Sequence, residues 1–320
     1  MKILFTADVH IKLGQKNVPI DWAKNRYNLL WKEFERCQQQ ADVFVIGGDV
    51  FDKLPNMEEL EVYFDLISHC NIPTIIYSGN HEAIKKNTTF MSNLAKATNK
   101  MNRDVIVIDD YYSDYGLEFV PYNKLKEFEQ GNHPWPEGGN VLCTHVRGEI
   151  PPHVQPEVNL DIFNSWDIVL AGDLHSYENS QKNILYPGSP VTTSFHRHSV
   201  DTGIILLDSS TLDHVWIKLE VPQLIRQTVG VNDPKPQTPY HHTIYQVEGD
   251  MQELGELEDS DLIDKKVLKR ETDTALMLDK DMTISEEVSE YLRYILQLPE
   301  QTIELALQEL QNYADKIEQV

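Results

Sequence analysis

Residues 43–52 read Val43-Phe44-Val45-Ile46-Gly47-Gly48-Asp49-Val50-Phe51-Asp52. Four apolar, β-prone residues run into two glycines and then an acid. A short apolar run closed by glycine predicts a strand buried on both faces, and such strands belong to sheets covered by helices. The flanking sequence agrees. Residues 21–40 carry Trp22, Tyr27, Leu30, Trp31 and Phe34 at helical spacing, and residues 57–70 carry Leu60, Tyr63, Phe64 and Ile67 on one face. Residues 2–7 and 73–77 are further strands. Strand and helix alternate, which predicts an α/β fold of βαβ units around a buried sheet.

Beyond residue 104 the pattern becomes strand-rich, with runs at 105–108, 117–121, 140–144, 168–171, 202–207 and 214–220. Four prolines between residues 222 and 241 predict a linker over 223–241. It separates a large domain, 1–222, from a small α+β region, 242–281, with strands at 243–247 and 266–270. Two amphipathic helices, 285–296 and 300–317, fill residues 282–320 and are broken at Leu298-Pro299.

Composition narrows the function. With 320 residues, 41% hydrophobic and 25% charged, the chain has enough apolar material for a packed core, which excludes disorder throughout. No apolar run approaches a bilayer span. Residues 1–11 are interrupted by Asp8 and His10 and do not read as a signal peptide. Cys37, Cys70 and Cys143 read as reduced thiols, which predicts a cytoplasmic protein with no membrane partner. The net charge of −23 rules out a chain-wide basic footprint for nucleic acid. Residues 221–320 alone carry 21 acids against 9 bases. A polyanionic substrate must therefore be gripped by local basic groups, by bound cations or by a partner.

Five clusters of Asp, His and Asn each follow an expected strand: Thr6-Ala7-Asp8-Val9-His10, Gly47-Gly48-Asp49-Val50-Phe51-Asp52, Gly79-Asn80-His81-Glu82, Thr144-His145 and Gly172-Asp173-Leu174-His175. Strand-end loops of α/β sheets are where ligands bind. Side chains two apart in extended backbone point the same way. Asp8 with His10, and Asp173 with His175, can thus reach one ion each, while Asp49 can bridge two. Carboxylate, imidazole and amide donors suit Mn²⁺, Fe²⁺ or Zn²⁺. Any one cluster alone reads equally well as turn chemistry or as a core histidine; five together do not.

These motifs resemble those of the calcineurin-like metallophosphoesterases, and within them the SbcD-type nucleases, including short phage recombination endonuclease subunits. Tyr186-Pro187-Gly188-Ser189-Pro190 followed by Ser194-Phe195 is similar to the family's closing motif, and the likeness spans residues 1–210. Asp52 is followed by Lys53-Leu54 rather than the Asp-Arg-Gly continuation of the Ser/Thr protein phosphatases. The resemblance implies a four-layer α/β/β/α sandwich with a small α+β capping region and C-terminal helices. It implies two divalent cations, Mn²⁺ first and Mg²⁺, Fe²⁺ or Zn²⁺ as alternatives. One is held by Asp8, His10, Asp49 and His175, the other by Asp49, Asn80, His145 and Asp173. Asp173 departs from the family, which usually has His there, and adds a negative charge.

Such a pair of cations lowers the pKa of a bridging water and clamps a phosphodiester for in-line attack. His81 is the expected catalytic residue, assisting the leaving 3′ oxygen, and Asp52 is expected to orient a histidine ligand. Lys12, Lys16, Arg26, Lys53, Arg147 and His196 are candidate DNA contacts. The resemblance further implies an exo- and endonuclease acting in DNA repair and recombination. Its partners would be DNA, an SbcC-like coiled-coil ATPase subunit that docks on the C-terminal helices, and a second nuclease chain, giving a homodimer within a heterotetramer. Two other readings stand beside it: a phosphodiesterase or phosphatase of the same superfamily, and a non-catalytic scaffold regulating an ATPase.

Overall fold

The computed structural model describes residues 1–85, 88–237, 240–249, 251–258, 260–267 and 282–317. Its first half follows the expected alternation: β1 (Lys2–Thr6), α1 (Ile20–Gln38), β2 (Val43–Gly47), α2 (Met57–Ser68), β3 (Thr74–Tyr77), α3 (Met91–Met101) and β4 (Val105–Ile108). There follow β5 (Tyr112–Asp114), β6 (Leu117–Val120), the short helix α4 (Leu125–Glu129), β7 (Gly139–His145), β8 (Trp166–Gly172) and β9 (Ile184–Leu185). β10 (Gly203–Asp208) and β11 (His214–Lys218) return to the first sheet.

That sheet has the order β11-β10-β1-β2-β3-β4, parallel from β1 to β4 and antiparallel at β10 and β11. A second sheet has the order β9-β8-β7-β6-β5 and is parallel from β9 to β6. Side-chain alternation along the strands explains why the two stack. Ile3, Phe5, Val43, Val45, Ile75 and Tyr77 point inward and share a core with Phe119, Val141, Cys143 and Leu170 of the second sheet. Their neighbours Leu4, Phe44, Ile46 and Ile76 point outward, beneath Tyr27, Trp31 and Phe34 of α1 and Tyr63 and Leu66 of α2. On the far side, Val120, Leu142 and Val169 are covered by Leu125, Phe128 and Phe163, which come from α4 and a 3₁₀ turn. The layers are the expected α/β/β/α, with a thin last layer. All three cysteines are buried in these cores and unpaired.

α2 begins with a capping box. Asn56 accepts from the Glu59 amide at 2.9 Å, and Glu59 accepts from the Asn56 amide at 3.0 Å. The other Glu59 oxygen accepts from the Leu13 amide at 3.0 Å, so one buried acid both starts a helix and pins the loop beyond β1.

Residues 223–241 are not a plain linker. β12 (Leu224–Gly230) lies inside them and joins β13 (His242–Gly249) and β14 (Ile263–Val267) in a three-stranded sheet. The prolines permit this because none falls within the strand: Pro222 precedes it, and Pro234, Pro236 and Pro239 follow in sequence. The strand expected at 266–270 runs instead from Ile263 to Val267, and residues 268–270 and the rest of the expected region to 281 lie outside the described residues.

Two compact units emerge, one of Met1–Val247 with Glu258–Lys265, the other of Glu248–Leu257 with the residues from Lys266 onward. The second holds α5 (Met251–Glu256), α6 (Ile284–Glu290) and α7 (Glu300–Ile317). α6 starts with its own capping box, Thr283 to Glu286, and passes into a π turn over Tyr291–Ile295. Among the described residues, no helix is long and apolar enough to cross a membrane.

Candidate metal centre

All five clusters lie at the carboxyl ends of parallel strands β1, β2, β3, β7 and β8, so two sheets deliver them to one place. The loops are stitched by main chain: Asp8 N–H donates to Gly48 O at 3.1 Å, His10 N–H to Asp49 O at 2.9 Å and Ile11 N–H to Val50 O at 2.8 Å. Below them the Tyr77 hydroxyl donates to Thr144 O at 2.8 Å and ties the sheets together.

Asp8 and His10 depart from the extended backbone expected of them. β1 ends at Thr6, and both residues have left-handed φ, 57° and 48°, as do Asp49 at 49° and Asp173 at 101°. A tight turn, not strand alternation, aims these side chains. Left-handed conformations in non-glycine residues cost about 1–3 kcal/mol each and concentrate at functional sites. Gly48, with φ of 88°, has no alternative residue: a Cβ there would stand 2.6 Å from His145 Nδ1 and 2.7 Å from the Gly79 backbone.

Asp49 occupies the centre. Its Oδ2 lies 3.5 Å from His145 Nε2, 3.7 Å from His10 Nε2 and 3.8 Å from His81 Nε2, while its Oδ1 accepts from the His81 amide at 2.9 Å. Asp8, His10 and His175 form a second close group, and Asp8, Asp49 and His145 a third, with donor atoms within 4.8 Å of one another in each. His10 Nε2 and His175 Nε2 face each other at 3.1 Å. Two nitrogens bound about 2.1 Å from one cation, at a right angle, sit about 3 Å apart.

Three buried atoms here have no hydrogen-bond partner: His145 Nε2, Asn80 Oδ1 and His10 Nδ1. Buried polar atoms are normally satisfied. His145 Nδ1 is 2.9 Å from Gly47 O and donates to it, which leaves Nε2 as the atom aimed at Asp49. Burial pulls the His10 pKa down to about 3, so its imidazole is neutral and able to ligate. Burial pushes Asp8 well above the usual carboxylate range. Burial also raises Asp49, but the surrounding imidazoles, His145 first, hold it well below its ordinary value. Burial lowers His145, and Asp49, Asp8 and Asp173 more than reverse this, leaving it well above an ordinary histidine. Acids and imidazoles crowded this tightly, with orphan donor atoms among them, suit divalent cations.

Asp173 is placed differently from the others. Its amide donates to both oxygens of Asp8, at 3.0 and 3.1 Å. Its carboxylate, 3.9 Å from His145 Nε2, accepts from Arg147 Nε at 3.1 Å and Arg147 Nη2 at 3.3 Å. His81 has a side chain 39% exposed at the mouth, and its Nδ1, 2.6 Å from Asp52 O, donates to that carbonyl. Asp52 thus orients a histidine through its main chain. Its side chain pairs with Lys12 at 2.9 Å.

Two residues with larger parts than their motifs announced are Glu82 and Ser189. Glu82 is fully buried and accepts from the amides of Asp49 at 3.0 Å, Phe51 at 2.9 Å and Gly79 at 2.7 Å. Burial and the neighbouring Asp49 raise its pKa to about 7, against the pull of those amides. The Ser189 hydroxyl reaches Asp8 O at 2.7 Å and Val191 O at 2.6 Å. Both lie in the quoted motifs, but only three-dimensional partners reveal their tasks.

Among the candidate DNA contacts, Arg26 is buried in the fold and turned away from solvent. It is 2% exposed, its Nη1 donates to Thr192 O at 2.9 Å, and its guanidinium stacks on Trp22 and Tyr27. Lys16 and Lys53 are exposed, and Lys12 and Arg147 are partly exposed within their ion pairs. His196 lines a cavity of about 480 Å³ together with His175, Tyr177, Thr193 and Trp216.

The sequence matches the family model described as calcineurin-like phosphoesterase over residues 1–193. The chain belongs to the calcineurin-like phosphoesterases. As a member of that family it is a phosphoester hydrolase with a metal-dependent centre. It is 38% identical to "Probable exonuclease subunit 1" of Escherichia phage T5, over 98% of each chain. It is 25% identical to "Putative phosphoesterase 244L" of Invertebrate iridescent virus 6, over 64% of this chain and 75% of that one.

Proposed function

We propose that this phosphoesterase is a metal-dependent DNA nuclease, the catalytic subunit of an SbcCD-like complex that hydrolyses phosphodiester bonds in recombination and repair. The observation that carries the reading is the convergence of carboxylate and imidazole groups from five loops around Asp49, with the buried His145 Nε2 and Asn80 Oδ1 left unbonded among them. Asp8, His10, Asp49 and His175 would hold one cation, and Asp49, Asn80, His145 and Asp173 the other. Mn²⁺ suits this mixture of carboxylate, imidazole and amide. When bound, the two ions supply an activated water and charge stabilisation at the phosphoryl oxygens.

The remaining chemistry belongs to the chain. Gly47 O fixes the tautomer of His145, and the Asp52 carbonyl fixes that of His81. With Nδ1–H committed, His81 presents Nε2 at the mouth, where in its imidazolium form the Nε2 proton can pass to the leaving 3′ oxygen and leave a neutral ring. Lys12, Lys16, Lys53, Arg147 and His196 would be the contacts to a phosphate backbone. The phage relative's designation as a subunit supports a partner. On this proposal the partner is an SbcC-like ATPase, with two nuclease chains per complex in the cytoplasm.

The test is cleavage by the purified chain with Mn²⁺. Single-stranded or hairpin DNA should be cut and p-nitrophenyl phosphate esters left intact. Asp49→Ala should cost more than the roughly hundredfold loss expected for an outer partner, and His81→Ala about 10²–10⁴-fold. Preference for the small esters would replace the nuclease with a phosphatase. Inactivity toward both, with metal bound, would make the chain a scaffold.

A further inference from the structure

The carboxylates of Asp8, Asp49 and Asp173 gather around His145, with Glu82 behind the Asp49 backbone, and fixed positive charge is scarce beside them. Among the described ion pairs, the lysine or arginine that reaches this group is Arg147, on Asp173. The contact is a two-pronged fork, the geometry in which a guanidinium holds a carboxylate most firmly. Arg147 is itself held in place. Its amide donates to Glu157 Oε1 at 3.0 Å, and the other Glu157 oxygen accepts from the Tyr122 hydroxyl at 3.2 Å. Asp173 is 7% exposed at the side chain and Arg147 is 43% exposed, so the pair spans from the buried centre to its rim. Each Asp173 oxygen keeps a second lone pair beyond the one given to the guanidinium.

We propose that Arg147 is a positioning residue that shares with the bound cation the task of neutralising Asp173. This rests on the reading of Asp173 as a cation ligand. Without a cation, the guanidinium, together with the His145 imidazole 3.9 Å away, balances the Asp173 carboxylate beside Asp8, whose two oxygens lie on the Asp173 amide. With a cation bound, guanidinium and ion face the same carboxylate and repel each other. Arg147 thus steadies the empty centre and weakens its hold on metal, and this makes the second position exchangeable.

The experiment follows thermal melting of the full chain in EDTA and across a Mn²⁺ titration, for wild type, Arg147→Gln and Arg147→Lys. Arg147→Gln should melt lower than wild type in EDTA, yet show the larger Mn²⁺-induced rise, with an apparent Mn²⁺ affinity roughly three- to tenfold tighter. Arg147→Lys keeps the charge and should rise by about as much as wild type. A purely structural arginine would lower both melting temperatures equally, so an equal or smaller rise in Arg147→Gln overturns the proposal. So does an Arg147→Lys that behaves like Arg147→Gln. If wild type itself shows no Mn²⁺-induced rise, the cation reading of the whole centre fails instead. No cleavage assay enters the comparison, so loss of nuclease activity cannot be mistaken for either result.

Discussion

Glu82 shows how one residue can support a centre without touching it. Its two oxygens gather the amides of Asp49, Phe51 and Gly79, which belong to the loops after β2 and β3. Burying a carboxylate is costly unless such donors surround it. Glu82→Ala would leave three amides without an acceptor and should destabilise the fold on the order of 3 kcal/mol in urea titrations. It should also weaken Mn²⁺ binding, because Asp49 loses its backbone anchor. Unchanged Mn²⁺ affinity in a folded variant would deny Glu82 this part. The same scale explains what sequence could and could not disclose. The gathering of Asp8, His10, Asp49, Asn80, His145 and His175 in one place was legible because each sits at or just past the end of an apolar strand. The burial of Arg26 was not, since its acceptor, Thr192 O, is 166 residues away. The left-handed turns at Asp8 and His10 were equally hidden, because local spacing fits an extended chain as well as a turn.

At the level of elements, α2 and the loop beyond β1 depend on the same acid. Asn56→Ala removes one half of the capping box and should cost about 1 kcal/mol. Glu59→Ala removes the other half and also frees the Leu13 amide, so it should cost about 2–3 kcal/mol. The two differ in a second measurement. Leu13 lies three residues past His10, so Glu59→Ala should weaken Mn²⁺ binding in calorimetry whereas Asn56→Ala should not. Equal effects on the metal would show that helix stability, not the loop anchor, is what matters. The strands and helices of the first half were readable because each buries one regular face. β12 was masked by the prolines on either side of it, which advertise a linker although the seven residues of the strand contain none.

For the molecule as a whole, the charge of −23 works against its proposed substrate. Long-range repulsion lowers both encounter rate and affinity for a polyanion. DNA affinity of the chain alone should therefore rise with Mn²⁺, by about tenfold or more over EDTA at the same ionic strength, in fluorescence anisotropy with Asp49→Ala as control. Equal affinity in the two conditions would mean that DNA is held by basic side chains without help from the centre. The acidic balance was plain from composition, and so was the need for cations or a partner. Which groups compensate was not, because ion pairs such as Lys12 with Asp52 and Arg147 with Asp173 join separate loops.

The forked hydrogen bond from the Asp173 amide to both oxygens of Asp8 bears on how this lineage can change. A main-chain donor survives any replacement of its own side chain except proline. On the proposed ligand set, position 173 can therefore trade one side chain for another over evolutionary time while Asp8 keeps its main-chain donor. Metal preference can drift there, with compensation arising at position 147, and the rest of the architecture need not be rebuilt.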